Sequence, residues 1–356
     1  MILTVSLPLT PLAIGWDYRA MVTGDPDTEH LADLRKHPMY DPLPIINSVL
    51  GVFLVMVMGA AARQIGWLNQ ESDKSLASLT TNVLLPAYFL DKILRSDHPV
   101  VGAGVWEAPL FGLLTTSLCF AVSLIFAKRI GPKLGLKKEG SQRAFALCVG
   151  VCNYGFIPLP LAEQYYPGAV VDLILHNIGV NLALWSVGIA IIHGSLRDGW
   201  RQAILSPPFL SVIFAVALKS QGPTHWIPSA VSTAMSSIGS CAIPMGLILS
   251  GAIMVDFLRE ATWKGSLRLL LAAVTLRHFI FPAMMLIFTV VLTDSVELRQ
   301  VMLLQAAMPA AVFPVIIVKL YDHDIDTAVR IVLGSSVIGV ITIPAWLLIG
   351  AGWILA

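Results

Sequence analysis

Charge is what this chain most lacks. Asp, Glu, Lys and Arg make up 13% of its 356 residues, where a soluble domain carries about 25%. A net charge of +1 supplies no basic stripe, which excludes a nucleic-acid partner. Cysteine is also sparse: Cys119, Cys148, Cys152 and Cys241 all fall in apolar stretches. Cys148 and Cys152 share a helix face, but no third Cys or His completes a metal site, so they read as small packing residues. HExxH, GxSxG, Walker and paired acidic metal motifs are missing, and the polar segments are too short for a catalytic domain. An enzyme is not expected, nor a metal or a cofactor.

What the chain has instead is apolar length. It is 56% hydrophobic with a mean hydropathy of +0.78, the composition of an all-α, multi-pass membrane protein. Apolar runs of spanning length predict ten transmembrane helices at 44–62, 75–94, 107–127, 142–165, 170–193, 204–219, 229–255, 267–292, 299–320 and 326–352. The sixth is short and opens on Pro207 and Pro208; counts of nine or eleven also fit. Residues 1–43 stand apart as an extramembrane lead-in. Met1–Gly15 is apolar but holds Pro8 and Pro11 and lacks a basic start, so a poor signal peptide and an interfacial segment both fit; residues 16–43 are polar and acidic.

The loops set an orientation through the positive-inside rule. Lys128, Arg129, Lys133, Lys137, Lys138 and Arg143 lie between spans three and four, against Glu139 alone. Placing that loop in the cytoplasm puts Arg197, Arg201, Arg259, Lys264 and Arg268 inside as well. The loops at Pro167, Pro223 and Asp294, and both termini, are then non-cytoplasmic, in a cell (plasma or inner) membrane. The acidic loop at Asp322, Asp324 and Asp326 falls inside, since acidic residues weigh little in the rule.

The ten spans divide into two halves of five, 44–195 and 196–356. An offset of 154 residues brings the CNYGFIPLPLAEQYY segment onto the segment that holds AMPAAVFPVIIVKLY, with Pro160 over Pro314 and Gly155 over Pro309. Spans two and seven each carry a central proline, Pro86 and Pro244. An odd number of spans per half makes this an inverted repeat, and interruptions at matching positions mark a transporter's site. Proline breaks a helix by removing a donor and clashing with the preceding turn. The prolines at 158, 160, 309 and 314 therefore predict that spans four and nine are broken crossover helices, and lipid would not tolerate such breaks unless protein or a water-filled cavity surrounds them. Each break frees the N–H groups of a new helix start, carrying about half a positive charge, which suits an anion.

The candidate binding residues are Asn153, Tyr154, Gly155, Pro158, Pro160, Pro309 and Pro314, with Asn181 and Arg277. Asn153 can donate to a carboxylate or cap the broken helix; its repeat counterpart is Ala307. Asn177 and Asn181 share a face of span five and can line a cavity or bond a neighbouring helix. Arg277 either serves the site, as intramembrane charges by default do, or snorkels to the surface. Lys319 reads as a snorkelling end, Glu163 as a candidate proton carrier near the outer surface, and His176 as structural.

CNYGFIPLPLAEQYYP with Asn153 and Pro160, QAAMPAAVFPVIIVKLY with Pro309, Pro314, Lys319 and Tyr321, the Pro86 segment, SSIGSCAIPMGLILSGA, and Arg277 with Pro282 resemble, in order and spacing, the motifs of the auxin efflux carrier family. The resemblance covers residues 44–352. Pro158 departs from it, standing where plant members have Gly, and the long cytoplasmic loop of larger plant members is missing. It implies the inverted-repeat fold shared with bile-acid sodium symporters, with a scaffold of helices 1, 2, 6 and 7 and a transport domain of helices 3–5 and 8–10. It also implies a homodimer through the scaffold and a small organic carboxylate as substrate. The expected function is a secondary transporter exporting or exchanging such anions by alternating access. The alternatives are a sodium-coupled symporter on the same fold, and a channel or receptor. One Asn, backbone amides and apolar walls suit a monocarboxylate slightly better than a dicarboxylate.

Overall fold

The computed structural model describes residues 42–96, 103–193, 199–222, 226–260 and 267–354. Nearly all of the lead-in, and the loop residues Arg197, Pro223 and Lys264, lie outside these.

The described residues form helices, with a single isolated antiparallel bridge as the one piece of β geometry among them. We number the principal helices α1 (Pro42–Gln64), α2 (70–95), α3 (Glu107–Arg129), α4 (Glu139–Gly150), α5 (Pro158–Tyr165), α6 (Pro167–His193), α7 (Pro207–Lys219), α8 (Ser229–Glu260), α9 (Leu267–Leu292), α10 (Val296–Ala307), α11 (Phe313–Leu320) and α12 (Ile325–Ile354). Among the described residues, α1, α6, α8, α9, α12 and the helix Gly104–Arg129 that contains α3 are each long and apolar enough to cross a membrane. The other four expected spans take different forms. The stretch 70–95 is as long but more polar, α7 is short, and the fourth and ninth spans are each two helices separated by extended backbone.

Close backbone approach holds the long helices together. A Cβ on Gly251 of α8 would sit 1.8 Å from the Met56 carbonyl of α1, and one on Gly59 of α1 2.0 Å from the Ile248 carbonyl of α8. The same reciprocal arrangement joins α3 and α6 through Gly112 and Gly179, at 2.2 Å from the His176 carbonyl and 1.8 Å from that of Pro109. Where lipid is as apolar as a leucine, such small-residue contacts supply the packing that a hydrophobic drive cannot. Extensive packing also joins α2 to α7 and α8, α3 to α4, α9 to α10, and α12 to α4 and α10.

Three helices carry a π turn: Thr80–Leu84 in α2, Leu184–Gly188 in α6 and Leu276–Ile280 in α9. In α2 and α9 the turn ends immediately before the residue that precedes Pro86 or Pro282. A wider turn makes room for a proline ring that an α-helix would exclude, so these helices continue past their prolines. In α9 the inserted residue also lets consecutive polar residues turn inward: Arg277 and His278 are each 1% exposed.

Candidate functional site

The fourth span stops at Gly150 and resumes at Pro158; the ninth stops at Ala307 and resumes at Phe313. Pro158 and Pro160 therefore lie in the first turn of α5, and Pro314 occupies the first turn of α11. The physical reason is that first-turn N–H groups have no intrahelical partner, so a proline there forfeits nothing and its fixed φ starts the helix. Pro309 does lie in a gap.

The two gaps cross and satisfy each other. Cys152 and Ala310 form the antiparallel bridge; Asn153 N–H donates to the Pro309 carbonyl at 2.8 Å, and Ala311 N–H to the Val151 carbonyl at 3.2 Å. Backbone that a bilayer would leave unpaired is thus paired internally. In this antiparallel register Asn153 lies opposite Pro309, and Val151 opposite Ala311. Ala310 N–H is taken by Ser335 Oγ of α12 at 3.1 Å, so the crossing is also fixed to a continuous helix.

A cavity of about 330 Å³ opens beside the crossing. Asn153, Tyr154, Gly155 and Phe156 of the first gap line it, as do Ala311 and Val312 of the second and Leu159 and Phe313 at the helix starts. Asn177, Asn181 and Trp185 face it from α6, Thr81 and Phe89 from α2, Phe209 from α7 and Ser250 from α8. Its lining is apolar and aromatic with several neutral polar groups and no charged side chain. Gly155 has open space where a side chain would stand, which keeps the wall thin there.

Of the residues proposed from sequence, Asn153, Tyr154, Gly155 and Asn181 are therefore on the cavity wall. Pro158, Pro160, Pro309, Pro314 and Arg277 are not among its lining residues; the prolines shape the backbone behind it. Asn153 does not cap α5, whose start has no side-chain cap, and among the described residues its side chain makes no hydrogen bond. Arg277 does not snorkel. Its Nε donates to the Met308 carbonyl at 3.0 Å and a terminal nitrogen to that of Gln305 at 3.4 Å. The guanidinium so caps the carbonyl end of α10, where the helix dipole is negative. Glu163 is bonded to Lys92 Nζ at 2.5 Å and accepts from Tyr88 Oη at 2.9 Å. Lys319 pairs with Glu260 at 2.9 Å.

Gln305 escaped the sequence reading. It is fully buried, and its Nε2 donates to the Tyr154 carbonyl at 3.1 Å and to Asn177 Oδ1 at 3.0 Å. The signal was there, a lone amide in the apolar run VMLLQAAM, but it lies outside the segment that the repeat pattern singles out.

Residues 44–198 and 191–347 match the membrane transport protein family. The chain is similar to an uncharacterized transporter of Methanothermobacter thermautotrophicus, 22% identical over 310 residues, covering 84% of this chain and 96% of the relative. It is similar to the uncharacterized transporter YfdV of Escherichia coli, 24% identical over 323 residues, or 85% and 96% of the two chains. An uncharacterized transporter of Methanocaldococcus jannaschii is 21% identical over 320 residues, 87% and 98% respectively. Six helices of spanning length and two interrupted helices among the described residues agree with the match over most of the chain: it belongs to the membrane transport protein family of auxin efflux carriers, a transporter family and not an enzyme class.

Proposed function

We propose that the protein is a secondary transporter that carries a small organic anion through the cavity at the helix crossing, by alternating access. The observation that carries this is the crossing itself. Two half-helices begin at one cavity, each presenting the positive end of its dipole, beside neutral amide side chains and apolar walls. The cavity wall holds no acidic side chain, which favours an anion as cargo over the bile-acid type of sodium symport, where carboxylates commonly ligand the ion.

In this reading the chain is a ten-span inverted repeat. Helices α1, α2, α7 and α8 act as scaffold, and the remainder as the moving transport domain. The packing pairs α1–α8, α2–α7 and α2–α8, against α3–α6, α3–α4, α9–α10 and α10–α12, support that division. Ser206, Pro208 and Trp185 lead from the crossing towards the expected cytoplasmic face. On the other side Ser48 meets Tyr165 at 2.7 Å and Lys92 meets Glu163. Such a cavity belongs to a cytoplasm-facing state. A scaffold dimer is part of the proposal; Leu54, Val57 and Met58 expose an apolar face of α1 that lipid or a second copy would cover.

The test is counterflow of labelled carboxylates in proteoliposomes, with Asn153→Ala as the diagnostic variant. A hydrogen bond to a charged group contributes about 1.5–3 kcal/mol, so apparent affinity should fall by about tenfold or more. Saturable counterflow that survives Asn153→Ala unchanged removes that side chain from the site; no saturable flux of any carboxylate removes the reading.

A further inference from the structure

Asn177 is 7% exposed and lies on the cavity wall. Its Oδ1 has a partner, Gln305, but its Nδ2 is buried and has none. Neither ring nitrogen of the adjacent His176 takes it up. A buried amide donor without a partner is costly, and one that belongs to a residue lining the cavity asks what completes it.

Which end of the amide is which follows from a chain of obligate roles. The Tyr154 carbonyl can only accept, so the Gln305 atom 3.1 Å away must be its NH₂. Cys152 Sγ, 3.1 Å from the other end, donates to Gln305 Oε1. The same Gln305 NH₂ then faces Asn177 at 3.0 Å and must meet an oxygen there. That leaves the Asn177 NH₂ as the free end.

Resting on the anion-carrier reading, we propose that Gln305 is a positioning residue that locks Asn177 as a hydrogen-bond donor to the substrate carboxylate. The relay runs from the Tyr154 carbonyl through Gln305 to Asn177, so the backbone of the first gap dictates that this wall offers N–H rather than oxygen. With Asn153, whose amide is also uncommitted, it gives the cavity two side-chain donors for one carboxylate.

The experiment is a double-mutant cycle in binding to the purified protein, using pyruvate, malonate, malate, phenylacetate and indole-acetate as probes and carrying forward whichever binds the wild type. Asn177→Leu and Gln305→Met should each weaken binding about tenfold, and the double variant should be no weaker than Asn177→Leu by more than about twofold. Losses that multiply in full overturn the relay while leaving the anion reading intact. If Gln305→Met does not fold, as read by its melting without ligand, Asn177→Asp decides. Asp keeps an acceptor for Gln305 but turns an oxygen towards the carboxylate, so it should lose at least tenfold more binding than Asn177→Leu; equal losses overturn the proposal. A wild type that binds none of the probes overturns the relay and the reading beneath it together.

Discussion

Arg277 carries a permanent charge into α9 with 1% of its surface exposed, and among the described residues it has no carboxylate partner. Taking a guanidinium out of water costs several kcal/mol, while two hydrogen bonds from a charged donor return about 1.5–3 kcal/mol each. These nearly cancel, so Arg277 is a poor device for stability and a good one for fixing the end of α10 and adding positive potential behind the crossing. Arg277→Met should shift the melting temperature in detergent only slightly, yet reduce carboxylate uptake by about tenfold or more. A large loss of melting temperature in step with uptake would make the residue structural instead. Sequence could place Arg277 at depth but could not say which way it pointed, because that depends on the π turn at Leu276–Ile280. Asn153 was legible as an important polar residue beside a break. That it is uncommitted rather than capping depends on Pro158, which fills the helix start in its place.

The interrupted helices show where sequence reading succeeds and stops. Prolines at matching positions located both breaks, since proline's missing donor and clash are properties of the residue itself. The gap's extent was not legible, because proline is equally at home in a helix's first turn, and no local pattern encodes the pairing of Cys152 with Ala310. Nor could local pattern reveal the tie between α2 and α5, where Lys92 and Tyr88 converge on Glu163, or that between α1 and α5 through Ser48 and Tyr165. Both ties cross from the proposed scaffold to the proposed moving half-helix on one face. Lys92 and Glu163 are about one-third exposed, so the ion pair itself is worth only about 0–1 kcal/mol. That is small enough to let go in each cycle and large enough to bias a two-state equilibrium severalfold. Glu163→Gln should therefore speed labelling of Leu159→Cys by a membrane-impermeant maleimide added on the Tyr165 face, in a Cys241→Ser background. An unchanged labelling rate would mean the pair does not hold that face shut.

Across the whole molecule, side-chain contacts sort the helix ends onto two faces. On one, Ser141 at the start of α4 donates to Asp324 before α12 at 2.6 Å, and Arg143 donates to the Ile191 and Ile192 carbonyls near the end of α6, 2.9 Å each. His323 reaches the Ile192 carbonyl at 3.0 Å, Arg63 at the end of α1 pairs with Asp73 and Asp256, and Lys319 pairs with Glu260. Burial raises the Asp324 pKa, but hydrogen bonds from Ser141 and Thr327 outweigh it and hold the carboxyl below its usual range, so the junction is intact at neutral pH and loosens only in acid. On the other face, Lys219 at the end of α7 bonds the Ile93 and Ser96 carbonyls at the end of α2, and Lys92 meets Glu163. Every end in the first set was assigned to the cytoplasm from the clustering of Lys and Arg, and every end in the second to the outside. None of these contacts joins one set to the other. The arginine clustering has a second cause the charge rule did not see: Arg143 is there partly to cap α6. The sidedness itself is a matter of insertion, which reporter fusions resolve. A phosphatase fused after Ala356 should be active, and one placed in the loop between α3 and α4, at Lys137, inactive; a fluorescent protein that matures only in the cytoplasm should give the reverse pattern. Activity at Lys137 and silence at Ala356 would turn the molecule over in the membrane, and would make the cavity leading to Ser206 and Pro208 an outward-facing one.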